Sequence, residues 1–158
     1  MTVKKETVNW VHGYREITDK SQMPEKTFGF VYQITIELDG EERHYIGQKK
    51  LISVRKKKMG KKEIEALPDK RLKKYHIIET EMPWQSYLGS NKPLLDLVKE
   101  FGEKKLKLKK EILEYCFSEL ELKYKEAKRI ICEGALESDK YFNDNISLKQ
   151  IGTLNFNQ

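Results

Sequence analysis

Alternation of apolar and polar positions is clearest between Phe28 and Glu37, where Phe28, Phe30, Tyr32, Ile34 and Ile36 stand against a mostly polar set. That period of two, in a stretch rich in aromatic and β-branched residues, predicts a half-buried strand. Asp39-Gly40 follows. Both central positions of a two-residue hairpin turn need a positive φ, which Asp and Gly tolerate best. With the turn there, Leu38 faces Glu41, Ile34 faces Tyr45 and Tyr32 faces Gly47. The predicted hairpin covers about 28–47, and Tyr32 and Tyr45 become diagonal neighbours on one face, with Cα atoms roughly 7–8 Å apart. A slip of one residue would send the two rings to opposite faces, so the turn decides the pairing.

Elsewhere the pattern takes on helical spacing. Ser53 is placed to cap a basic helix through about Ala66, ended by Leu67-Pro68. Asn91 precedes Pro93 and the set Leu94, Leu97, Val98 and Phe101, with Gly102 to stop the helix. Leu106, Leu108 and Ile112 then alternate in a strand running to about Cys116. Ser118 and Glu121 form a capping-box pattern that opens a helix to about Leu136, with Leu120, Tyr124, Ala127 and Ile131 as its expected buried stripe. The order strand, strand, helix, helix, strand, helix predicts an α+β fold: a small, mainly antiparallel three-stranded sheet flanked by helices. Residues 1–27, with Trp10, Tyr14, Ile17, Gly13 and Pro24, read as an arm or small hairpin packing on a domain at 28–146. The stretch at about 56–92 reads as an insertion after the first helix, and 147–158 as a tail.

At 158 residues the chain has the length of one ordinary domain. Its 31 Lys and Arg exceed its 25 Asp and Glu, for a net +6, which favours a polyanionic partner. Cys116 and Cys132 suit free thiols better than a bridge, the expectation for an intracellular protein. No apolar run approaches a membrane span or a signal-peptide core, so the expected location is cytoplasmic, without membrane contact. Thiols and histidines lack zinc spacing, and no Gly-rich phosphate loop occurs.

Phe30-Val31-Tyr32, Tyr45-Ile46-Gly47, Arg55 ten residues further on, Glu126 on the last long helix and Asn143 in Tyr141-Phe142-Asn143 together resemble the GIY-YIG nuclease superfamily. The first triplet begins with Phe30 where the family name has Gly. Tyr45 to Lys50 and the stretch Trp84, Tyr87, Gly89, Ser90 look like the Seg-like homing endonucleases of tailed phages. The resemblance runs from about residue 8 to 146, and implies a Mg²⁺-dependent DNA endonuclease, with Mn²⁺ as an alternative ion. By that resemblance Glu126 binds the metal, Tyr32 accepts the proton of the attacking water, Tyr45 orients water or phosphate, Arg55 neutralises phosphoryl charge and Asn143 positions a neighbour. A phage-infected bacterial cell would be the setting, double-stranded DNA the partner, and a monomer or weak dimer the working form.

Lys49, Lys50, Lys56, Lys57, Lys58, Lys73 and Lys74, with Trp84, Tyr87, Ser90 and Asn91, make up the expected DNA-binding set. Plain structural roles compete for each residue. Strand tyrosines usually pack, charge runs usually face water, and Trp84 and Tyr87 suit a core equally well. A catalytically inactive nucleic-acid-binding or docking module on the same fold is the rival reading.

Overall fold

The hairpin forms in the predicted register. Leu38 pairs with Glu41, Ile34 with Tyr45 and Tyr32 with Gly47, while Asp39 and Gly40 take φ of 54° and 81°. The structure is a computed structural model that describes residues 7–147. The chain runs β1 (Trp10–His12), β2 (Arg15–Ile17), a 3-10 turn (Lys20–Gln22), β3 (Gly29–Leu38), β4 (Glu41–Lys50), β5 (Ile52–Lys58) and α1 (Lys61–Glu65). It continues through β6 (Tyr75–Glu81), α2 (Lys92–Phe101), β7 (Lys109–Cys116), α3 (Glu119–Cys132) and a closing 3-10 turn (Ala135–Glu137).

The class is α+β, with a larger sheet than the sequence pattern predicts. Five strands lie in the order β2-β1-β7-β3-β4, and β5-β6 form a separate two-stranded ribbon. The opening segment supplies two strands of the sheet itself: β1 pairs with β2 antiparallel and with β7 parallel. Burial drives this, because pairing puts Trp10 and Ile17 in the core, where each is almost fully enclosed.

Alternation along β3 feeds two cores. Phe30, Tyr32, Ile34 and Ile36 pack with Trp10, Ile112, Trp84 and Leu94 on one face. Val31 packs with Ile46, Cys116, Leu122 and Ile130 on the other, so α3 covers that side. Phe28, predicted on the Phe30 face, precedes the strand and joins the second core. Between Val31 and Tyr32 the β3–β7 ladder slips by one residue, because Leu113 is left unpaired. Such a bulge adds local twist and re-aims neighbouring side chains.

The predicted helix from Ser53 to Ala66 does not form. Ile52–Lys58 is a strand, and only Lys61–Glu65 is helical, in the connection between the ribbon strands. Ser53, Val54 and Arg55 extend the chain directly from β4, and their backbone groups find partners across the ladder to Tyr75–Glu81. The expected insertion therefore follows the hairpin without a helix between them. By contrast α2 matches its prediction: Asn91 caps it by accepting from the Leu94 N–H at 3.0 Å, and Gly102 ends it at φ 84°.

On α3 the expected stripe is displaced. Leu122, Ala127 and Ile130 are buried, whereas Leu120 and Ile131 are exposed. The sheet face fixes this rotation, because Leu122 and Ile130 fill the space over Val31 and Ile46. Ser118 caps the helix as predicted, and the Glu121 carboxylate turns back to accept from the Phe117 N–H. Cys116 and Cys132 are free thiols. Among the described residues no helix is long and apolar enough to cross a membrane. The expected tail at 147–158 lies outside the described residues beyond Ser147.

Candidate active site at the edge of the sheet

The outer edge of β4 borders a cleft of about 310 Å³, lined by Tyr32, Tyr45, Gln48, Ser90, Glu126 and Asn145, among others. Tyr32 reaches it from the neighbouring strand because its partner is Gly47. The Tyr32 ring lies across that glycine, and a Cβ at Gly47 would overlap the Tyr32 hydroxyl. Gly89 closes over the same point at φ 89°, where an added Cβ would stand 3.1 Å from the Tyr32 hydroxyl. The two tyrosine rings have centroids 6.2 Å apart, so the diagonal relation read from the turn holds in space.

A buried lysine holds the loop that carries Gly89 and Ser90. Lys110 of β7 donates to the Gln85 carbonyl at 2.6 Å and sits over the Trp10 ring at 4.6 Å, and burial pushes its pKa down to about 8. This anchor fixes Tyr87, whose ring meets Tyr32 edge-on at 5.9 Å. Ser90 hydrogen-bonds the Tyr45 hydroxyl. Burial raises the pKa of Tyr32 well above the usual phenol value, and Tyr87, Tyr45 and Glu126 add to the shift. Tyr45 is raised as well, first by burial, although its bond to Ser90 opposes the shift.

Glu126 enters from the opposite side, as the middle member of the row Leu122, Glu126, Ile130 at helical spacing of four. Anchoring the outer two in the core carries the carboxylate inward. Burial alone pushes its pKa up to about 7. Gln48 lies one residue beyond Gly47 and therefore on the α3 side of the strand. Its buried Oε1 has no hydrogen-bond partner among the described residues.

Asn143 closes the β4 edge. Its Oδ1 accepts from the Ile46 N–H at 3.0 Å, and its Nδ2 donates to the Ile46 carbonyl at 2.8 Å. His44 exchanges backbone bonds with Lys140 and Phe142 just before it. The last described segment thus docks on β4 like a short strand, and the Asn143 amide stands in for a backbone group between Tyr45 and Gly47. Asn91 ties the same segment to α2 by donating to the Phe142 carbonyl at 3.0 Å.

Other expected positions separate from this cluster. Arg55, predicted on a helix, stands exposed on β5, opposite Ile78, and is not among the cleft-lining residues. Trp84, expected in the DNA-binding set, is 5 % exposed and packs against Phe30 as a core residue. Lys49 is largely buried, with Nζ 4.4 Å from the Tyr87 ring centroid, and burial lowers its pKa. Lys50 pairs with Glu119 at 2.5 Å. Lys56, Lys57, Lys58, Lys73 and Lys74 all belong to the exposed ribbon and its connection. Sequence reasoning gave no role to Gln48, Lys110 or Asp144, the last lining an adjoining hollow with Glu126 and Asn143. Strand alternation after Gly47 was the available signal for Gln48.

A cleft at the sheet edge thus brings two phenols and one carboxylate together. The family model described as "Putative endonuclease segE, GIY-YIG domain" matches residues 10–146. The chain belongs to this GIY-YIG endonuclease family. No curated protein and no solved structure matches it. Family membership implies a divalent metal ion and a DNA substrate.

Hard oxygen donors suit that ion. Among the described residues, no group of three or more His, Cys, Asp or Glu could cage a metal. Mg²⁺ needs no cage, since it keeps most of its waters and uses one or two protein oxygens plus substrate phosphate. Glu126 is a half-buried carboxylate with no cation among the causes of its shift, and Gln48, whose Oε1 lacks a partner among the described residues, lines the same cleft. Both are oxygen donors of the kind a hard divalent cation takes.

Proposed function

We propose that this chain is a divalent-metal-dependent DNA endonuclease that hydrolyses one phosphodiester at the β4-edge cleft. The observation that carries this reading is the convergence of Tyr32, Tyr45 and Glu126 on that one cleft. Glu126, with Gln48 Oε1, would hold Mg²⁺ or Mn²⁺. The ion would supply Lewis-acid stabilisation of charge on the phosphate and the leaving oxygen.

The chain's own groups bind and orient. Tyr45, its hydroxyl set by Ser90, orients the phosphate or the attacking water. Tyr32 receives the water's proton; its raised pKa means that this role demands cationic company, because burial and Glu126 both oppose the phenolate. Asn143 is a positioning residue, acting on Tyr45 through the Ile46 backbone. Arg55, exposed on β5 and outside the cleft, would contact the DNA backbone rather than the reacting phosphate.

The competing reading keeps the fold for nucleic-acid binding alone, and the position of Arg55 outside the cleft favours it. Supercoiled plasmid separates the two. With Mg²⁺ the wild-type chain is expected to yield nicked and then linear DNA, and Glu126→Ala to lose about a thousandfold in rate or more. DNA retention on a gel is expected to stay within about twofold of wild type. DNA retention with no Mg²⁺-dependent product from either chain would overturn the nuclease reading.

A further inference from the structure

The β5–β6 ribbon has an architecture unlike the rest of the molecule. Residues 52–81 hold ten Lys and Arg against five Asp and Glu, a net +5 out of +6 for the whole chain. Neither strand has a buried residue, and an isolated two-stranded ribbon is only marginally stable in water. One face carries Arg55, Lys57, His76 and Ile78, and α1 reaches onto it through Glu63, whose carboxylate lies 2.8 Å from the His76 ring. The other face carries Val54, Lys56, Lys58, Tyr75, Ile77 and Glu79.

That second face combines two chemistries. Val54 and Ile77 are 53 % and 58 % exposed, and are diagonal neighbours near its centre. Cations stand on one side of them: Lys56 lies opposite Ile77, Lys58 opposite Tyr75, and Lys73 approaches the Tyr75 ring, while Glu79 lies opposite Val54. Exposed aliphatics beside a cluster of lysines match a partner that offers anionic groups next to small apolar patches. The DNA major groove is such a surface. Phosphates line its walls, thymine methyls project from its floor, and its width of about 12 Å admits a two-stranded β-ribbon. Seven residues per strand span roughly 24 Å, enough to cross several base pairs.

We infer that the β5–β6 ribbon enters the major groove of duplex DNA through its Val54–Lys56–Ile77 face and reads base edges there. This rests on the proposed function only in taking DNA as the partner. The ribbon would thereby give the single domain a sequence reader that stands apart from the cleft.

The test selects duplexes from a random pool with the full chain in the absence of divalent ions. The enriched duplex is then rebuilt in two ways: with 7-deazapurines, which remove acceptors from the major groove, and with inosine for guanine, which removes the minor-groove amino group. Binding is expected to weaken about tenfold or more with 7-deazapurines and to stay within about twofold with inosine. The chain carrying Lys56→Ala, Lys58→Ala, Val54→Ser and Ile77→Ser is expected to bind every duplex alike. Its salt slope should fall by about 1 for each phosphate-contacting lysine lost. Loss of binding with inosine but not with 7-deazapurines, or a pool that enriches no sequence, would overturn the inference. Cleavage lies outside this assay, so a chain that cuts plasmid but fails here sinks the ribbon alone. One that passes here but never cuts sinks the nuclease reading alone.

Discussion

At the β4 edge, groups from β3, β4, α3, the loop before α2 and the last described segment are held by burial and by paired hydrogen bonds. Along the β5–β6 ribbon, charge and exposed aliphatics project into solvent with almost nothing behind them. The first region has a low effective dielectric, where Tyr32 and Glu126 resist ionisation and small displacements matter. The second is screened by salt, and its lysines act through long-range attraction. The proposed chemistry and the proposed DNA attraction would thus fall to regions with opposite physical demands, rigidity in one and reach in the other.

That contrast can be broken most severely at Gly47. In Gly47→Ala the new Cβ displaces a ring enclosed by Trp10, Phe30 and Tyr87. Plasmid nicking is expected to fall about a hundredfold, as for other displacements of about 1 Å at a reacting centre. Urea unfolding should show about 1–3 kcal/mol lost to overpacking.

Next in size is the pH dependence set by Glu126. Its folded pKa of about 7 lies above the ordinary 4.5, so the folded state binds the proton more tightly than the unfolded chain. Metal-free stability should therefore fall as pH rises from about 4.5 to 7, and Glu126→Gln removes the fall. The variant is expected to be more stable than wild type at pH 8, by on the order of 3 kcal/mol. The two should converge at pH 4.5, as read by urea titration in chelator. Added Mg²⁺ should narrow the gap at pH 8 by stabilising the wild type alone.

A smaller effect is expected for Asn143→Ala, which removes both bonds to Ile46. About 1–2 kcal/mol of stability should be lost, with slower nicking at unchanged DNA affinity. Asn143→Asp keeps the acceptor and loses the donor, and should fall between. Smallest of all, Lys56→Ala with Lys58→Ala is expected to change folding stability by less than about 0.5 kcal/mol, because both side chains stand in water. A large loss there would mean that the ribbon supports the domain after all.

The helix after the hairpin is the most instructive difference between pattern and structure. Ser53 and the basic run that follows satisfy the local rules for a helix, yet that stretch finds its partners in 75–80, between 17 and 27 residues away. Local propensity holds no information about such a pairing. The stripe on α3 shifted for a related reason: two apolar faces compete on that helix, and only the sheet selects between them. Asn91, Gly102 and the Asp39-Gly40 turn were legible because their signals act within a few residues.

The sequence by itself determined the hairpin register, the joint facing of Tyr32 and Tyr45, the α2 boundaries and the basic excess, since each follows from neighbouring residues or from a sum over the chain. Only the tertiary structure decided that Glu126 points inward, that Asn143 grips Ile46, that Trp84 is core and that Arg55 belongs to a ribbon. Each of those outcomes depends on which distant surface a residue meets. Burial and hydrogen bonding across long sequence separations are properties of the packed molecule, and no local pattern encodes them.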